Sequence, residues 1–148
     1  MPAVNPLARR RCPNPEMLRR VGRVESWSGN LYVSADRDRR DLGRRSLHGL
    51  KLNGSLIESV SGVAAFELTV CSDPRASASA GDVPAIGSWL KVKPMMDGLV
   101  MLTEREFDLV LALVAGDRLV SVGLSFHKPR YGRGAITRVD FSTESLAE

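Results

Sequence analysis

The stretch HKPRYGRGAITRV, residues 127–139, crowds Lys128, Arg130, Arg133 and Arg138, a tyrosine ring and two glycines into the space where a β-hairpin turns. Cations on a glycine-bearing loop are the side chains that grip phosphates, and a tyrosine among them can stack on an unpaired base. Lys128, Arg130, Tyr131 and Arg133 are therefore the first candidate binding residues. The spacing of Gly132 and Gly134 is that of neither a phosphate-binding loop nor a dinucleotide fingerprint, and a strand rather than a helix follows it. A plainer reading carries more weight: Pro129, Gly132 and Gly134 shape a turn, and the cations keep a sheet edge soluble.

A second source of positive charge is the N-terminal segment. Residues 1–50 hold eleven arginines against five acids, whereas residues 51–148 carry a small negative balance, so the net charge of +4 is regional. Arg9, Arg10 and Arg11 head a first cluster that continues to Arg19, Arg20 and Arg23, and blocks of this kind attract nucleic acid or acidic partners. A second cluster, Arg37, Arg39, Arg40, Arg44 and Arg45, is diluted by Asp36, Asp38 and Asp41 and reads as a self-paired, solvated loop. Arginine outnumbers lysine 17 to 4 over the whole chain, a bias that a GC-rich bacterial genome produces as readily as selection for guanidinium groups.

Catalytic side chains are sparse. His48 and His127 are the only imidazoles. Cys71, His127 and Asp140 can be drawn into a nucleophile, base and acid arrangement on strand faces, but no nucleophile elbow supports it. The histidines are isolated, no C-x-x-C occurs, and the acids are scattered, so the sequence implies no metal and no cofactor. Two cysteines, Cys12 and Cys71, do not make a disulfide framework.

The elements that must position these residues read as follows. Residues 1–20, with Pro2, Pro6, Pro13 and Pro15 among arginines, predict a flexible basic arm, and residues 21–148 a single domain. VGRVESW and NLYVSA, joined by Ser28, Gly29 and Asn30, predict an opening hairpin. LKLNGSLIESV predicts a second, with Asn53-Gly54 as its type I′ turn. In VAAFELTV, Phe66, Leu68 and Val70 fall on one face of a strand. Residues 72–88 lack periodicity and predict a long loop. In WLKVKP the alternation sets Leu90 and Val92 against Trp89, Lys91 and Lys93.

One segment changes period. Thr103 and Glu106 form a capping box, Phe107, Val110, Leu111 and Val114 recur at helical spacing, and Gly116 stands where a left-handed cap would end a helix over 103–115. The apolar residues run almost unbroken from 107 to 115, which exceeds a one-sided stripe and predicts a second burying surface such as another subunit. Alternation over 120–127 and 136–141 predicts two strands flanking the 128–134 loop.

The fold class these signals predict is α+β, mainly an antiparallel sheet of hairpins with one principal helix near 103–115. With 43% hydrophobic and 26% charged residues, no long apolar run and no signal peptide, the chain reads as a cytoplasmic protein without a membrane segment. The function expected is a non-catalytic interaction or assembly module that self-associates as a homo-oligomer or binds a protein partner. Weak electrostatic binding of nucleic acid through the arm and the 128–133 loop is the alternative, and an enzyme with a site around His127 the third reading.

Overall fold

In this computed structural model the backbone is described for residues 16–35, 44–72 and 85–144, and the side chains for 16–29, 49–72 and 85–144. Among the described residues, seven strands and one helix follow in the order β1 (Met17–Ala35), β2 (Arg44–Val60), β3 (Val63–Ser72), β4 (Gly87–Lys91), β5 (Met96–Leu102), α1 (Glu104–Ala115), β6 (Ser121–His127) and β7 (Gly134–Ser142). The strands close into a barrel in the order β1-β2-β3-β5-β4-β7-β6. Every pairing is antiparallel except β3 with β5, which run parallel from Phe66↔Met96 to Ser72↔Leu102.

A closed barrel replaces the α+β architecture of an open antiparallel sheet that periodicity predicts. Alternation tells which side chains face inward, but not whether the first and last strands meet. They meet here through β1, which is long enough to serve two seams: residues 17–23 pair with β6, and residues 22–35 pair with β2. The expected turn at Ser28, Gly29 and Asn30 is therefore continuous strand, opposite Lys51, Leu50 and Gly49. β1 starts at Met17, so it takes in residues 17–20 of the segment whose composition suggests an arm.

Asn53-Gly54 is not a turn either. It lies in the middle of β2, between Ser26 and Val24 on one side and Glu67 and Phe66 on the other. Glycine is needed there for close approach: a Cβ at Gly54 would collide with the Arg23 carbonyl and stand 3.1 Å from the Phe66 ring. The turn into β3 comes later, at Ser61 and Gly62, with φ of 51° and 80°.

The core is built on rings laid against glycines. A Cβ on Gly22 would stand 2.5 Å from the Phe66 ring, and one on Gly98 2.6 Å from Trp89. Trp89 meets Phe126 edge to face at a centroid distance of 5.5 Å, a geometry that suits the ring quadrupoles. Leu50, Leu52, Leu68, Val70, Met96, Val100 and Ile136 fill the remaining interior, all fully buried. Phe66, Leu68 and Val70 point inward as the alternation of β3 predicts. In β4 a bulge between Trp89 and Lys91 shifts the phase, so Trp89 and Val92 are buried and Leu90 is exposed, the reverse of the expectation for Trp89 and Leu90.

α1 crosses the end of the barrel where β3, β5 and β7 finish and β4 and β6 begin, and seals it with Phe107, Val110 and Val114. Its start is the expected capping box: the Glu106 amide donates to Thr103 Oγ1 at 3.2 Å, and the Thr103 amide donates to Glu106 Oε1 at 2.9 Å. Its end differs by one residue from the sequence reading. Gly116 has φ −87°, and Asp117 takes the left-handed conformation with φ 52°. The Arg118 amide then donates to the Leu113 carbonyl at 2.9 Å, and aspartate is among the few residues that accept that conformation readily.

Two glycine substitutions separate crowding from backbone conformation. Gly54→Ala forces strands apart and is expected to lower stability by about 3 kcal/mol. Gly62→Ala meets no atom within 4 Å and carries only its positive φ, for a loss of about 1 kcal/mol. Urea unfolding of both variants measures the difference, and equal losses contradict the packing described. Thr103→Ala is expected to cost about 1 kcal/mol in the same assay.

Candidate functional site

The 127–139 stretch folds as the β6–β7 hairpin. Its tip is a two-residue turn at Tyr131 and Gly132, with φ of 54° and 78°, the positive pair that a type I′ turn requires. Arg130 and Arg133 close it through reciprocal backbone hydrogen bonds of 2.7 and 3.0 Å. The side chains of Arg130 and Arg133 are exposed, and Tyr131 is entirely in solvent. Lys128 lies 3.6 Å from the Glu16 carboxylate, with both side chains more than half exposed, a pairing worth under about 1 kcal/mol.

Barrel closure brings in residues that the sequence reading did not link to this loop. β4 pairs with β7 from Gly87↔Ile136 to Trp89↔Gly134, which sets the β4–β5 turn beside the hairpin tip. Ser61 from the β2–β3 turn, Leu90 and Lys91 from the end of β4, Val92 and Lys93 from the β4–β5 turn, and Pro129, Tyr131 and Gly132 from the hairpin line one groove of about 440 Å³. Lys91 is in register with Asp97. Among the described residues, Lys91, Lys93, Arg130 and Arg133 have no ion pair. The lysines alternate outward along WLKVKP, but only the β4–β7 pairing, which spacing does not reveal, places them at the loop.

Of the remaining candidates, Arg9, Arg10 and Arg11 lie outside the described residues, as do Arg37, Arg39 and Arg40 and most of the 72–88 loop. Cys71, His127 and Asp140 are not brought together. Cys71 sits near the α1 end of β3, opposite Gly49 and Met101. His127 ends β6 at the other end of the barrel, opposite Met17. Asp140 faces Gly123 and holds Arg138 at 3.2 Å. The Nδ1 atom of His127 is buried without a hydrogen-bond partner among the described residues. No group of three His, Cys, Asp or Glu side chains gathers into a metal-binding arrangement among those residues.

A second concavity lies at the opposite end, between α1 and β7. It measures about 670 Å³ and is lined mainly by Ile86, Met101, Leu109, Val110, Leu113, Val139 and Phe141, with Glu106, Arg138 and Asp140 among its polar groups. The helix buries one face only. Leu109 is 64% exposed and Leu111 40%, so the second burying surface that the unbroken apolar run predicts is not supplied by the described residues of this chain.

Comparison of the chain with protein-family models, with curated proteins and with solved structures finds no match. No helix among the described residues is long and apolar enough to cross a membrane.

Burial raises the pKa of the Cys71 thiol by disfavouring the thiolate. The folded protein thus holds that proton to higher pH than an unfolded chain does. In a Cys12→Ser background, alkylation of Cys71 by iodoacetamide at pH about 8.5, the ordinary thiol midpoint, is expected to run several-fold slower folded than in urea. Equal rates contradict the burial.

Proposed function

We propose that this chain is a non-catalytic interaction module that self-associates through the face formed by α1 and β7. The observation that carries the reading is a projecting side chain beside a matching hollow: Leu109, exposed on the helix, borders the apolar groove that Leu113, Val139 and Phe141 help to line. A twofold contact needs one patch that fits a copy of itself, and a knob next to a hole supplies this. Leu109 from each copy can enter the groove of the other and remove both apolar surfaces from water. Around the patch Glu106 holds the helix cap and Arg138 is paired with Asp140, so the contact rests on the apolar side chains.

Sedimentation velocity from micromolar to millimolar concentration tests this. The native chain is expected to pass from monomer to dimer within that range. Leu109→Asp is expected to weaken the dimer more than tenfold, a difference of at least about 1.4 kcal/mol, while its unfolding midpoint stays near that of the native chain because the side chain is exposed. Leu90→Asp, at the other end of the barrel, is expected to leave association unchanged. A native chain that stays monomeric throughout contradicts the proposal.

A further inference from the structure

We infer that the turn end of the barrel, remote from α1, binds single-stranded nucleic acid, with Lys91, Lys93, Arg130 and Arg133 on the phosphates and Tyr131 stacked on a base. The inference begins with a residue that does not suit its own position. Tyr131 has φ 54° at the first corner of a type I′ turn, where glycine or asparagine is the unstrained choice. It buries no surface. A large ring held in an unfavourable backbone conformation with nothing to pack on contributes nothing to folding, and such strain gathers at binding sites.

Its surroundings specify the ligand. Lys91 and Lys93 line the groove, Arg130 and Arg133 bracket the Tyr131–Gly132 tip beside it, and none of the four holds an ion pair among the described residues, so their charge is available to an anion. Lys91 and Lys93 lie along a concave path, which fits a linear polyanion better than it fits a flat lipid surface. A free ring at the tip needs an unstacked base, which a single strand offers and an intact duplex does not. The two Arg130 and Arg133 backbone hydrogen bonds fix the backbone that carries the ring, so only the side chain's own torsions are left to order on binding. The contacts are phosphates and a ring face, so little sequence preference is expected. This site and the α1–β7 face lie at opposite ends of the barrel and are independent of each other.

The test is fluorescence anisotropy on the full chain with labelled oligothymidine, a duplex of the same length and a salt series, alongside flotation with vesicles of phosphatidylserine and phosphatidylcholine. Oligothymidine is expected to bind at low salt and more tightly than the duplex. Tyr131→Gly relieves the backbone while deleting the ring, so its unfolding midpoint is expected to hold or rise while affinity falls about tenfold. Tyr131→Phe is expected to bind as the native chain does. Lys91→Ala/Lys93→Ala is expected to reduce the log-log salt slope by about 1.4, the share of two single-strand phosphate contacts. No binding at low salt overturns the inference. So does duplex binding as tight as single-strand binding, and so does vesicle binding without oligonucleotide binding. Affinity unchanged in both the Tyr131→Gly and the double lysine variants also overturns it, since the contacts would then lie elsewhere, as on the N-terminal arginines.

Discussion

Phe66 lies against Gly22 of β1 and Gly54 of β2, and Trp89 against Gly98 of β5, so each large ring occupies a place where any side chain on the neighbouring strand would collide with it. Glycine in a strand weakens it locally, through lost side-chain packing and greater freedom in the unfolded chain. A ring laid over the glycine restores the missing contact and lets the backbone bend. Phe66 thereby ties β1, β2 and β3 together. Trp89, edge to face with Phe126, ties β4, β5 and β6. With both sets of strands curved around their rings, the two margins of the sheet meet along β1 and β6.

Closure has consequences at both ends. At one end it gathers the β2–β3, β4–β5 and β6–β7 turns, so Lys91, Lys93 and Tyr131, separated by some forty residues of chain, line a single groove. The other end lies open at the close of β5 and is sealed by a helix only twelve residues long. Such a helix covers the interior with one stripe, and the rest of its apolar surface stays in water beside β7. The charged end and the apolar end thus follow from one geometric fact, and they differ in chemistry because turns carry cations and the sealing helix carries leucines.

What could be read in the sequence depended on how local the cause was. The helix was legible because Thr103, Glu106 and the stripe from Phe107 to Val114 report on one another within four turns, although the left-handed cap falls at Asp117 instead of Gly116. The hairpin around Tyr131 was legible for the same reason. Asn53-Gly54 misled because the glycine answers a distant demand, the approach of the Arg23 carbonyl and the Phe66 ring, and nothing in its neighbours shows this. A bulge misled in a second way: it falls between Trp89 and Lys91 and breaks the period of two, so Trp89 turns inward against the alternation. Of the candidate site, the 128–133 loop was visible, whereas its union with Lys91 and Lys93 depends on β4 lying beside β7. That is a property of the closed order of strands, which no spacing encodes.

Hydrogen exchange along the β1–β6 seam tests closure most directly. In a closed barrel the amides of residues 17–23 and 121–127 that bond across this seam are protected to the same degree as those joining β2 to β3, because opening the seam requires displacing Phe66 and Phe126 from the core. Comparable slow exchange at both seams is the predicted result. Rapid exchange at β1 and β6 with strong protection retained between β2 and β3 contradicts it, since that is the signature of an open sheet with two free edges.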